Sequence, residues 1–284
     1  MKRHIERYIR TNLRITSDQT SKLIWIAYRQ FGTFLGRSPQ LADLCDDEIA
    51  GFISWLVKNG RAATTANQKR NYLCAFWRWC HRRRLVDAYP SVGCLAEPEP
   101  ISRAWTVCEL AQLFAAIQDT EGEFAGIPRC DFYEAYHRVL LDTGERKGAI
   151  LESRWDWYLL DQRLLQVPAV ARKGRRKNAA YQLRHKTVAS LRAIRMPKRD
   201  LVFPWPLSST SWDNHYRQLL ERAGLPTDGK HSQRMRRTHA SHLAANGGNA
   251  TRSLQHSRRA ITERYYLDSR IVRPDTDVDL LPDV

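Results

Sequence analysis

The stretch His231–Asp268, HSQRMRRTHASHLAANGGNATRSLQHSRRAITERYYLD, decides how the rest of the chain is read. Its apolar residues recur at helical spacing between arginines, histidines and two adjacent tyrosines. One amphipathic helix opens at Arg236 and stops at Asn246-Gly247-Gly248, a sequence suited to a left-handed C-cap. A second short helix is expected from Thr251 to Ser257, and a third carrying Ile261, Tyr265 and Tyr266. A guanidinium, an imidazole and a phenol on neighbouring helices share one chemistry: attack of a tyrosine oxygen on a phosphodiester.

The composition fits that chemistry. The 284 residues carry a formal net charge of +16, enough length for one large or two modest domains with real cores. Residues 1–100 hold 16 basic and 9 acidic side chains, so the excess is shared along the chain. A polyanion touching both parts, nucleic acid first, is the expected partner. Cys45, Cys74, Cys80, Cys94, Cys108 and Cys130 form no CxxC pair, which points to reduced thiols without disulfides or zinc. The start MKRHIERYIR has no apolar leader, and no run approaches the roughly 18 apolar residues of a membrane span. A soluble cytoplasmic protein is expected.

Upstream, the chain reads as two domains: helical 1–95, a linker at 96–104 with its prolines, and a second domain at 105–267. In the first, Ile24, Ala27, Tyr28 and Phe31 mark a helix ending near Gly36. A second helix runs from Asp46-Asp47 to Asn59-Gly60. A third, from Thr64, holds a stripe of Leu73, Phe76, Trp77 and Cys80, which reads as core. Arg70, Arg78, Arg82, Arg83 and Arg84 on that helix are the expected phosphate contacts. Thr106 and Glu109 have capping-box spacing and open the second domain. Helices follow at Phe132–Leu141, around Ile150, at Thr187–Ile194 and at Trp212–Ala223. Strands Leu164–Val167 and Ala179–Leu183 flank the turn KGRRKN as a hairpin. The fold class is mainly α, with a small antiparallel sheet in the second domain.

Four boxes in this order make residues 104–267 resemble the tyrosine recombinase (phage integrase) family. They are Thr143-Gly144-Glu145-Arg146, the turn Lys173-Gly174-Arg175-Arg176-Lys177, Arg236-Arg237-Thr238-His239-Ala240 and Leu254-Gln255-His256-Ser257. Tyr265 follows His256 by nine residues, the family's spacing for its nucleophile. The resemblance implies catalytic Arg146, Lys173, Arg236, His256 and Tyr265, with Gln233 at the family's histidine position. His231, Arg234 and Tyr266 are the alternatives, because His231-Ser232-Gln233-Arg234 also satisfies H-x-x-R. Arg175, Arg176 and Lys177 would join the DNA contacts. Besides Gln233, two departures stand out: Ala149 replaces the family's acidic residue, and Gln255 its box glycine.

The implied activity is cutting and rejoining of double-stranded DNA through a 3′-phosphotyrosyl intermediate, without metal or cofactor, by a homotetramer on DNA. The implied setting is the nucleoid of a prokaryote, or a phage or mobile element. Residues 268–284 would dock on a neighbouring protomer. Two other readings share the fold: a catalytically silent DNA binder, motivated by Gln233 and Ala149, and a DNA-relaxing enzyme of the type IB topoisomerase kind. His239 and His242 lie one helical turn apart, but no third ligand completes a zinc motif.

Overall fold

The computed structural model describes residues 1–272 except 14, 16, 173–176 and 229–230; at 209, 210, 231 and 232 it describes the backbone only. The chain divides into two units, Met1–Pro98 and Glu99–Val284.

The first unit is helical. It comprises α1 (Lys2–Thr11), α2 (Asp18–Leu35), α3 (Asp46–Lys58) and α4 (Ala63–Arg82). The Ser17 hydroxyl caps α2 at its start, and Gly36 ends it with φ of 66°, a conformation that favours glycine. Asp46, Asp47 and Glu48 sit in the first turn of α3, where the helix dipole favours negative charge. Phe31, Phe52, Phe76, Trp77 and Ile5 are buried together, so the aromatic stripe of α4 is core. Each such side chain contributes on the order of 1.5–3 kcal/mol by leaving water. Arg70 turns inward and donates to the Val92 carbonyl, which makes it a staple of the chain following α4. Arg82, Arg83 and Arg84 are exposed and Arg78 half-buried; the Arg83 guanidinium lies 4.5 Å from the Trp79 ring centre.

The second unit is organised around α6 (Arg129–Thr143). Before it come α5 (Val107–Gln118), with the Thr106/Glu109 capping box formed, and a minimal hairpin, β1 (Glu123–Phe124) and β2 (Ile127–Pro128). After it come α7 (Lys147–Leu151) and the antiparallel sheet β3 (Tyr158–Leu159), β4 (Leu164–Val167) and β5 (Ala179–Gln182), in that order. Then follow α8 (His185–Ala193), α9 (Ser209–Arg222), α10 (His231–Ala245), α11 (Ala250–Ser253) and α12 (Arg259–Tyr266). Helix α6 packs on α5, α8 and α10, burying Phe132, Tyr136, Val139 and Leu140.

Three differences from the sequence reading have local causes. β1, β2 and β3 are two residues long, too short to show a period-two alternation. Helix α10 starts at His231 because its polar first turn has no apolar residue before Met235 to mark it. Helix α11 stops at Ser253 because Gln255 takes a left-handed φ of 54°. The expected linker and tail also prove partly structural. Asp268 is buried and its carboxylate accepts the Ala104 N–H at 2.7 Å, while Arg270 donates to the Ala104 carbonyl. Residues 273–284 lie outside the described part.

His137 on α6 is fully buried, donating Nδ1–H to the Tyr133 carbonyl at 2.6 Å and facing the Tyr216 hydroxyl at 3.1 Å. Burial lowers its pKa from 6.5 to about 4. Because the folded value is the lower one, its contribution to stability is full above pH 6.5 and is lost as pH falls towards 4. Thermal melts between pH 7 and 4 are therefore expected to show Tm falling, with a shallower slope in His137→Gln.

Candidate active site

Three segments of the second unit line one small cavity of about 150 Å³ with Arg146, Lys147, Gly148, Gln233, Arg236 and Tyr266, and a further segment sets His256 against Arg236 and Tyr266. A larger groove of about 990 Å³ runs along α10, α11 and α12, but Arg252 and Arg259 are its only cations among the described residues and no tyrosine lines it. The paired arginines and phenol place the candidate chemistry in the smaller cavity.

The first segment is the end of α6. Gly144 has φ of 61°, and its N–H caps the helix on the Leu140 carbonyl at 2.8 Å. A Cβ there would stand 2.6 Å from the His239 ring and 2.9 Å from the Leu254 side chain. Both the conformation and the space demand glycine. Gly144→Ala is expected to cost about 2–4 kcal/mol and to lower Tm by about 5–10 °C in a calorimetric scan. The turn hands the chain to Arg146, the extended N-cap residue of α7, whose half-buried side chain lines the cavity.

The second segment is α10. Gln233 and Arg236 are one turn apart and face the cavity together. Arg236 is 1% exposed and donates to the Gly144 carbonyl at 2.5 Å and the Leu254 carbonyl at 2.9 Å. Its pKa is held below the ordinary value by burial and then by the like charge of Arg146, against the pull of Tyr266 and Glu145. Arg234 points elsewhere, its guanidinium 4.2 Å from the Trp105 ring centre and its donors towards Pro226 and Asp228. So Arg236, not Arg234, faces the cavity. His231 begins the helix, and its side chain lies outside the described residues, as do Lys173, Arg175 and Arg176. Lys177 is exposed.

The third segment carries His256. Arg236 donates to its Nε2 at 3.2 Å, so its proton sits on Nδ1, which donates to Thr262 Oγ1 at 2.9 Å. Burial, then Arg236 and Arg146, lower its pKa to about 4, and the ring is neutral at pH 7.

The fourth segment is α12. Tyr266 lines the cavity, with its ring centre 4.7 Å from that of His256 and 5.5 Å from the Arg236 guanidinium carbon. Tyr265, which the spacing selected, is 40% exposed and stacks with Arg264 outside the cavity. The structure thus presents Tyr266 to the arginines.

Sequence reasoning missed two contributors. Lys147 lines the cavity, its Nζ held by Asp213 at 3.0 Å; its place directly after Arg146 was the available signal. Glu145 is buried beside the cluster and supplies a carboxylate where Ala149, also buried, has none. Burial works to raise the Glu145 pKa, but hydrogen bonds from Tyr181 and the Arg146 N–H and the nearby arginines hold it below the usual range. His239 and His242 spend ring nitrogens on the Leu141 and Trp105 carbonyls. Among the described residues no group of three His, Cys, Asp or Glu is placed to hold a metal.

Comparison with known proteins gives the class of fold. No family model and no curated protein sequence matches the chain. Among solved structures, the Tn1549 transposon integrase in complex with transposon right end DNA superposes with a TM-score of 0.75 at 15% identity, over 93% of each chain. The lambda integrase dimer bound to a COC′ core site gives 0.73 at 16% identity, over 97% of this chain and 98% of that one. The chain has the fold of the tyrosine recombinases, mainly helical with a small antiparallel sheet in its second unit.

Proposed function

We propose that the protein is a DNA strand-transfer enzyme, a site-specific recombinase that cleaves and rejoins double-stranded DNA through a 3′-phosphotyrosyl intermediate. The observation that carries this is the meeting of Arg146, Arg236 and Tyr266 around one cavity, with His256 against Arg236 and Tyr266, in a protein of net charge +16. The fold supports it, since the integrases it resembles are seen bound to DNA.

Arg146 and Arg236 clamp the non-bridging oxygens with charged planar forks and stabilise the charge that grows in the transition state. Tyr266 Oη attacks phosphorus, the P–O5′ bond breaks, and the DNA 3′ phosphate becomes esterified to the phenol. The phenolic proton needs an acceptor. Gln233 is an amide and cannot serve, and the His256 Nε2 lone pair already accepts from Arg236, so an oxygen of the bound phosphate itself takes the proton. Lys173, outside the described residues, protonates the departing 5′ oxygen. Attack of a free 5′ hydroxyl on the phosphotyrosine reverses the step and rejoins a strand. Exposed Arg82, Arg83 and Arg84, with Arg78, hold backbone phosphates, and the working form is a homotetramer on DNA, as the lambda integrase tetramer bound to a Holliday junction illustrates.

The test uses nicked suicide duplexes tiled from the DNA flanking the gene, incubated in EDTA and resolved on a denaturing gel. A covalent protein–DNA adduct is expected. Duplexes that shift on a native gel but never give an adduct would sink the enzymatic reading in favour of a silent binder. Relaxation of any supercoiled plasmid would instead select the topoisomerase reading.

A further inference from the structure

One guanidinium outside the cavity ties together the residues that precede Arg146 and His256. Arg172 is 9% exposed and ends the described chain before residues 173–176. Its Nε donates to Glu145 Oε1 at 2.5 Å, and its Nη1 donates to Gln255 Oε1 at 2.6 Å and to the Lys177 carbonyl at 3.1 Å. Its Nη2 lies 3.4 Å from the Tyr181 hydroxyl. The Glu145 side chain is completely buried and also accepts the Tyr181 hydroxyl at 2.7 Å and the Arg146 N–H at 3.0 Å.

The partners are telling in their chain positions. Glu145 directly precedes Arg146, Gln255 directly precedes His256, and Arg172 and Lys177 flank residues 173–176 in sequence and bond to each other. A bond to one residue sets its neighbour's backbone, since successive Cα atoms are a fixed ~3.8 Å apart.

Stability alone does not account for the arrangement. A buried ion pair loses so much hydration that apolar side chains of similar volume often hold a fold as well or better. Gln255 adds to that cost, because its φ of 54° is disfavoured for any residue with a Cβ. Glycine would relieve the strain but would forfeit the amide oxygen that reaches Arg172.

We propose that Arg172 is a positioning residue: through Glu145, Gln255 and the Lys177 carbonyl it holds Arg146, His256 and Lys177 in the mutual register that phosphoryl transfer needs. This role rests on the recombinase reading above. It predicts that Gln255 acts through geometry and not through stability.

The experiment compares wild type, Gln255→Gly, Arg172→Lys and the double variant on one nicked suicide duplex. Three quantities are read: the single-turnover rate of adduct formation, Kd for the duplex, and Tm. Gln255→Gly is expected to melt at or above the wild-type temperature and to bind within about twofold, yet to form adduct about 10- to 100-fold more slowly, as small misplacements of reacting groups do. Arg172→Lys keeps the charge but loses the fork, and the double variant is expected to be no slower than the slower single one. A Gln255→Gly rate equal to wild type, or rate losses that add in the double variant, would overturn the positioning role and leave the recombinase reading intact. A wild-type protein that forms no adduct overturns both.

Discussion

Tyr266→Phe is expected to abolish the covalent protein–DNA adduct, while Tyr265→Phe forms it at close to the wild-type rate. Tyr266 lines the cavity beside Arg236 and His256, whereas Tyr265 is exposed and stacks on Arg264. The substitution removes one oxygen and leaves the ring, so packing against His256 is retained and Tm should hold. DNA binding should hold as well, because the phenol makes no phosphate contact until it attacks. Denaturing gels for the adduct and native gels for binding, run on the same samples, separate the two effects. An adduct that survives in Tyr266→Phe and disappears in Tyr265→Phe would move the nucleophile to the residue chosen by spacing, and α12 would have to turn to deliver it.

The second large effect is expected at the arginines, and there the two should part company. Arg146→Ala and Arg236→Ala each remove a donor aimed at the developing charge, a loss of about 100- to 1,000-fold in adduct rate, or about 3–4 kcal/mol. Only Arg236 also holds the fold. Its guanidinium satisfies the Gly144 and Leu254 carbonyls, and removing it leaves both without that donor, at about 1–3 kcal/mol for each one left unsatisfied. Arg236→Ala is therefore expected to lower Tm by several degrees, and Arg146→Ala hardly at all. Equal melting temperatures with unequal rates would mean that the buried arginine does not brace the α6–α7 turn.

These two residues also mark where local sequence stops being informative. Helical periodicity, the Gly36 stop, the Thr106/Glu109 box and the β4–β5 hairpin were legible because each depends on neighbours within a few positions. The four ordered boxes made the fold class legible too. The resemblance favours Arg236 over Arg234 because Met235 and Ala240 keep the family's apolar positions, and both are buried. The same logic does not choose between Tyr265 and Tyr266. Neighbours on a helix point about 100° apart, and a short helix with few apolar residues has a loosely defined inner face.

Nor does periodicity reveal Glu145, Arg172, Tyr181 and Gln255 as partners. They lie up to 110 residues apart, and three of them are polar residues that local pattern assigns to solvent. Their meeting depends on α6, the β-hairpin and the turn after α11 closing on one point, where low dielectric makes every unpaired polar atom costly. The amino-acid sequence by itself determined the helices, the hairpin, the basic charge and the order of the boxes. Which tyrosine faces the arginines, and what holds those arginines in place, was decided by tertiary packing, because both depend on contacts between segments that no local period records.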